Sequence, residues 1–201
     1  ANLRYHYKIG ADPILSEAIA GGHRTLVRAL IEAGAEPSRG LSTAAGAGDA
    51  ETVQLLLEAG AHPTGLMETT EAGHAKIVET LLKAGADPNV RTGRIGRTPL
   101  MEASEAGHVN TTSLLLEADA DPNVKTRDGF GEQTALMKAA SSGQTEIVRR
   151  LLEAGAEPKL ESGEGETAFN FALEEGHTDV ARLLREATGS GAEAGSSGTG
   201  E

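Results

Sequence analysis

Four of the six histidines, the side chains best suited to metal binding or acid-base chemistry, recur at one kind of position. His23, His74, His108 and His177 each directly follow a glycine. A metal site needs several imidazoles that converge on one ion, whereas residues that recur once per repeated segment are held apart by the repeat. We therefore expect each of these side chains to cap and bond at the start of the helix that follows it.

The sequence has no recognisable motif for catalysis or phosphate binding. Segment 93–98 contains two glycines, but it lacks the Gly-Lys-Ser/Thr ending of a phosphate-binding loop. Neither an H-E-x-x-H pair nor a G-x-S-x-G elbow occurs, and the chain has no cysteine to serve as a nucleophile or metal ligand. The sequence therefore predicts a protein that is not an enzyme and that holds neither a cofactor nor a metal ion.

The composition favours closely packed helices over one large core. Only 2% of the 201 residues are aromatic and Trp is absent, so bulky core side chains are scarce. The formal net charge of -12 repels phosphate backbones and favours basic partners, which argues against nucleic-acid binding. The sequence shows neither a signal peptide nor an apolar run long enough to cross a bilayer, and we expect a monomer in the cytoplasm.

A repeated pattern supplies the elements that position these residues. Each repeat has a glycine turn between two helices, and the first five repeats end in an Ala-x-Pro triplet. The second helices carry apolar pairs four residues apart, such as Ile147, Val148, Leu151 and Leu152, which form one stripe on a helix. Six helix pairs can be counted from the triplets ending at Pro13, Pro37, Pro63, Pro88, Pro122 and Pro158 and from the turn glycines.

The repeat from Thr98 to Pro122 resembles an ankyrin repeat. Its opening TPLMEA and its Gly107-His108 turn are similar to the family pattern T-P-L-H-x-A and its central turn. The resemblance implies an all-α, ankyrin-type helical-repeat solenoid with short β-hairpin loops, here called fingers, in the C-terminal half. We expect a repeat domain over residues 1–187, with repeats at 10–37, 38–63, 64–88, 89–122, 123–158 and 159–187, followed by a flexible Gly/Ser-rich tail at 188–201.

Loop length predicts which repeats carry fingers. Long glycine-containing segments precede repeats four, five and six, whereas the segments after Pro37 and Pro63 are too short to form a hairpin. Glycine ends most of the second helices in the left-handed conformation that it adopts at little cost. Repeat four has Asp119 at this place, and we expect Asp119 to adopt the same conformation under strain.

The resemblance also implies that partners dock on the groove formed by the first helices. All three methionines occupy one column of the repeat, Met67, Met101 and Met137. They form either an adaptable apolar floor for a partner side chain or packing between neighbouring helices. The same face carries Glu68, Glu71, Glu102, Glu105, Lys138 and Phe171. The four glutamates favour a basic or amphipathic partner segment, and the alternative is a solvated acidic face.

The fingers supply a second set of candidate contacts. Arg94, Arg97 and Arg127 are cationic, while Ile95 and Phe130 are apolar residues on glycine-rich loops. Such exposed residues suit binding hot spots, unless each folds onto the neighbouring finger. We expect an adaptor or scaffold that binds another protein through the groove and fingertips of repeats three to six. The alternative is an inhibitor or immunity-type regulator that plugs an enzyme's active site with Phe130.

Two asparagines match a family pattern for modification. Asn89 and Asn123 lie in L-x-x-x-x-D-x-N-V segments, and in the resembled family such asparagines are sometimes hydroxylated. The other role for these side chains is to bond the backbone of a turn.

Overall fold

The computed structural model describes residues 14–127, 129 and 131–193, and the fold is all-α, as predicted. Twelve helices lie within these residues, and the paired helices of each repeat are joined by a short glycine turn. Their bounds are α1 (14–20), α2 (Arg24–Glu32), α3 (Ser38–Gly46), α4 (Ala50–Glu58), α5 (Leu66–Glu71), α6 (Ala75–Lys83), α7 (Pro99–Ala106), α8 (Val109–Glu117), α9 (Ala135–Ser141), α10 (Thr145–Glu153), α11 (Ala168–Glu174) and α12 (Thr178–Glu193).

The chain divides into two compact units. Unit 1 comprises Ala1–Asp87 and contains α1 to α6, and unit 2 comprises Pro88–Glu201 and contains α7 to α12. Each unit holds three helix pairs. The division falls next to the end of the third predicted repeat, where the first long finger begins.

The apolar stripe of the second helices forms part of the core of each unit. In unit 1, Ile77, Val78 and Leu81 of α6 are buried. In unit 2, Ile147, Val148 and Leu151 of α10 are buried in the same way, while Leu152 is half-buried. Burying one such side chain contributes roughly 1.5–3 kcal/mol. None of the described helices is both long enough and apolar enough to cross a membrane.

The threonines of the repeat pattern start the first helices of unit 2. The Thr98 hydroxyl accepts a hydrogen bond from the Met101 N–H at 3.3 Å, and Pro99 occupies the first turn, where its missing N–H costs nothing. Thr134 caps α9 through the Met137 N–H in the same way. The recurring Thr therefore determines where the helix begins and where the finger before it ends.

The predicted fingers are present in unit 2, but they are turns with little strand pairing. Finger 4 (residues 89–97) holds one antiparallel bridge, between Thr92 and Arg97, with N···O distances of 3.0 and 3.1 Å. Finger 5 (residues 123–133) is closed by the Thr126 N–H to the Gln133 carbonyl at 2.9 Å. Finger 6 (residues 159–166) is closed by Ser162 in the same way. In unit 1, short turns at 33–37 and 59–65 take the place of fingers, as loop length predicts.

The last helix is longer than the sequence suggested. The tail was expected to begin after residue 187, but α12 continues to Glu193, so that boundary falls inside a helix. Residues 194–201 lie outside the described part of the chain.

Asp119 adopts the left-handed conformation expected of it. Its φ is 62°, beside 88° for Gly155, which ends the corresponding helix of the next repeat. A Cβ added at Gly155 would meet no atom within 4 Å. The space at this type of position therefore accepts a side chain, and the cost of a non-glycine residue is backbone strain.

We expect Asp119→Gly to stabilise the protein by about 1 kcal/mol, because glycine removes the left-handed strain and gives back part of the gain as entropy of the unfolded chain. Thermal unfolding followed by circular dichroism should show a melting temperature higher by a few degrees. Gly155→Asp is the reciprocal control and should lower it. A melting temperature of Asp119→Gly at or below that of the wild type would contradict strain at this cap.

Candidate functional site

The histidines at the glycine turns do not cap their own helices with their side chains. His23, His74 and His108 occupy the N-cap position of α2, α6 and α8, but none makes a side-chain capping bond. The prediction of side-chain capping is therefore wrong for these three. Asp49 does cap α4, accepting a bond from the Thr52 N–H at 3.1 Å.

The ring of His177 contacts the preceding repeat. Its Nε2 lies 3.0 Å from the Ser141 carbonyl oxygen of the preceding repeat. A Cβ on Gly143 would lie 2.6 Å from Nδ1 of the same ring, so the turn glycine allows the imidazole to rest on the backbone. His177 thus joins successive repeats. Among the residues that the structure describes, no group of three or more histidine and carboxylate side chains could hold a metal ion.

Asn89 and Asn123 each join the turns at the two ends of a repeat, with both ends of the side-chain amide. Asn89 donates to the Asp119 carbonyl at 3.1 Å and accepts from the Asp121 N–H at 2.8 Å. One repeat later, Asn123 donates to the Gly155 carbonyl at 3.1 Å and accepts from the Glu157 N–H at 2.9 Å. The expected turn bonding is present, and it reaches the turn at the far end of the same repeat. Hydroxylation of these residues stays a prediction.

The three methionines are core residues in this structure. Met67 is 6% exposed, Met101 0% and Met137 2%. Of the two interpretations left open by the sequence, packing between helices therefore describes their environment. A partner could not touch these side chains on the surface as it stands.

The groove glutamates fall into two sets. Glu68 and Glu71 are exposed on α5 of unit 1. In unit 2, Glu102 and Glu105 of α7 are both ion-paired with Arg97 at the base of finger 4, and Lys138 of α9 lies 3.3 Å from Glu105. We call these four residues of unit 2 the paired cluster: Arg97, Glu102, Glu105 and Lys138.

The paired cluster is half-buried, and its positive and negative charges balance. Arg97 and Glu102 are each 19% exposed and Lys138 is 17% exposed. Two cations face two anions, so this part of the surface offers a basic partner no free carboxylate without breaking an ion pair. Sequence spacing placed the glutamates on the expected face, but it could not show that a finger arginine reaches them.

The pKa values of the cluster reflect this pairing. Burial acts to raise the pKa of the Glu105 carboxyl, but the hydrogen bond from Arg97 and the charges of Lys138 and Arg97 outweigh it, so the pKa is lowered. Burial likewise acts to lower the pKa of Arg97, and the hydrogen bonds to Glu105 and Glu102 raise it instead. Both shifts favour the charged forms of Arg97 and Glu105.

The remaining candidates lie on the fingers and on α11. Arg94 is exposed at the turn of finger 4, Ile95 is half-buried, and Phe171 is half-buried on α11. Phe130, the proposed plug, lies outside the described residues, so the inhibitor alternative that depends on it stays a prediction.

The fingers of unit 2 are bonded to one another through their backbones. The Arg127 N–H donates to the Ile95 carbonyl at 2.9 Å, which ties finger 5 to finger 4, and the Gly163 N–H donates to the Gly131 carbonyl at 2.8 Å, which ties finger 6 to finger 5. Arg127 therefore has a structural role that its charge alone did not suggest. Arg91 of finger 4 also spans two fingers, through a bond to the Lys125 carbonyl at 2.5 Å.

Comparison with known families identifies the repeat. A family model described as ankyrin repeats (3 copies) matches residues 41–126 and 124–195, which together cover more than half of the chain. No curated protein matches the sequence.

We expect Glu105→Gln to destabilise the protein by about 1 kcal/mol at pH 7, a value reduced for solvent screening because Glu105 is 38% exposed. Because the folded-state pKa of Glu105 is lowered, its contribution is present above its ordinary pKa and is lost as the pH falls through the folded value. Urea unfolding at several pH values should show the difference from wild type shrinking under acid conditions.

Glu153→Gln, at an exposed position of α10, is the matched control and should change little at any pH. A pH-independent effect of Glu105→Gln would mean that the side chain contributes through packing and not through its charge.

Proposed function

The chain belongs to the ankyrin-repeat family, and on that premise we propose that it is a non-catalytic recognition module, an adaptor or scaffold, that binds another protein. Repeats of this family bind other proteins through surfaces that a rigid helical scaffold presents. The proposed contact surface in unit 2 comprises fingers 4 to 6 and the neighbouring first helices α7, α9 and α11.

The observation that carries this proposal is the bonding of each finger to the next. A loop that is already ordered loses less conformational entropy when a partner binds than a mobile loop does. Finger 4 is held by its own bridge and by finger 5, and it still exposes Arg94 at its turn. An ordered loop with an exposed side chain is the arrangement expected of a recognition surface.

The charge of the proposed surface restricts where a basic partner segment could bind. In unit 2 the paired cluster has no net charge, so a basic segment gains nothing there. In unit 1, Glu68 and Glu71 are exposed carboxylates, and we propose the basic or amphipathic partner segment for that surface alone.

A site-specific photo-crosslinker tests the use of the fingers. With the crosslinker at position 94, irradiation in an extract of the source cells should trap a discrete protein, and excess unlabelled chain should prevent trapping. The matched control is position 149, where Arg149 of α10 is 53% exposed but lies on a second helix. Trapping of the same proteins at both positions, or at neither, would contradict a finger surface.

The trapped protein also separates an adaptor from an inhibitor. If it has an enzymatic activity, that activity should be unchanged when the chain is added in excess. A loss of activity that reaches completion at one chain per enzyme would favour the inhibitor alternative.

A further inference from the structure

Two exposed arginines connect fingers 4 and 5, because the side chain of each donates hydrogen bonds to the backbone of the other finger. Arg91 of finger 4 donates to the Lys125 carbonyl of finger 5 at 2.5 Å, and Arg127 of finger 5 donates to the carbonyls of Gly93 and Arg94 in finger 4, both at 3.2 Å. Both side chains remain exposed. One terminal nitrogen of each guanidinium group thus donates to backbone carbonyls, and these bonds hold the group in place.

The two guanidinium groups lie side by side over Gly96. A Cβ on Gly96 would be 3.1 Å from Nε of Arg127 and 3.2 Å from Nε of Arg91, so both nitrogens lie close to one point. The glycine has a φ of +68° and its missing side chain leaves the space that the arginines fill. Two like charges are therefore fixed as neighbours.

Within the described residues, no carboxylate pairs with either arginine. The nearby Lys125 has a carboxylate partner, Glu132, at 3.8 Å, and Arg97 has two, whereas the ion pairs of this region include neither Arg91 nor Arg127. Neighbouring cations repel each other, and an anion between them replaces that repulsion by attraction. The planar guanidinium group also matches a carboxylate with two parallel hydrogen bonds.

We propose that Arg91 and Arg127 form a docking site for an acidic segment of the partner protein, in which a carboxylate bridges the two guanidinium groups. This proposal rests on the proposed function and names the chemistry of the partner at the fingers. A protein segment fits better than a nucleic acid, because it can place a single carboxylate between the two guanidinium groups, whereas a nucleic acid carries a phosphate on every nucleotide and the net charge of -12 repels each of them.

The test uses the full chain and three labelled probes in fluorescence anisotropy titrations: a decamer of glutamate, a decamer of glutamine and an oligodeoxythymidine. The double variant Arg91→Gln/Arg127→Gln is compared with Arg149→Gln/Arg182→Gln. The control pair is also exposed, lies in unit 2 and changes the net charge by the same amount. Thermal melting checks that each variant is folded.

The glutamate decamer should bind the wild type, weaken with added salt, and lose about tenfold in affinity in the first double variant and less than about twofold in the control. The glutamine decamer should not bind. If both double variants lose affinity equally, the attraction is general and the site is refuted. Binding of the oligodeoxythymidine through the same two arginines with equal affinity would refute the protein partner in favour of a nucleic acid.

A second measurement on the wild type keeps the proposal testable if the double variant unfolds. In nuclear magnetic resonance spectra, the Nε–Hε signals of Arg91 and Arg127 should shift together as the glutamate decamer is added, while those of Arg149 and Arg182 stay in place. Unmoved signals would refute the site. That result would leave the crosslinking test at position 94 unaffected, so the acidic partner can fail while the finger surface stands.

Discussion

The structure of each unit depends on a constraint on its repeat: one helix pair has an apolar face that only a neighbouring pair can cover. The neighbours must therefore be held at a fixed distance and register, and the residue after the repeat's proline does this in both units. In unit 1, Ser38 accepts a bond from the His62 N–H at 3.0 Å. In unit 2, Asn89 and Asn123 do the same and add a second bond. These contacts tie turn to turn while the apolar stripes tie helix to helix.

The fingers follow from the same constraint. Once the turns of successive repeats are fixed by Asn89 and Asn123, the loops that leave them start in the same register. Their backbones can then meet, as Arg127 meets Ile95 and Gly163 meets Gly131. In unit 1 the chain after Pro37 enters α3 at once, so no loop is long enough to reach a neighbour. Order in the fingers is therefore a product of the repeat spacing as well as of the loop sequence.

Much of the fold could be predicted from the sequence, because helix periodicity, capping residues and turn glycines act over a few residues. The position of Thr98 as a cap and the left-handed Asp119 are local consequences of this kind. The site was harder to predict because its contacts join distant residues. The sequence placed Glu102 and Glu105 on the correct helix face. It did not show that their charge is cancelled by Arg97 from a finger and Lys138 from the next repeat. The methionine column was identified, but periodicity alone could not determine whether it was buried.

The net charge of the chain and the charge of one surface therefore affect partner binding in different ways. At physiological ionic strength a charge is screened over about 8 Å, so the excess of carboxylates across the chain affects the approach of a partner more than its final contact. The final contact is decided by which charges are already paired. Arg97 is paired within its own repeat, with Glu102 and Glu105. Arg91 and Arg127, in contrast, are held beside each other by backbone carbonyls, which fix their positions without neutralising them. A strongly acidic protein can thus present a cationic site on its fingers, because the same inter-repeat bonding that orders the loops keeps these two charges together.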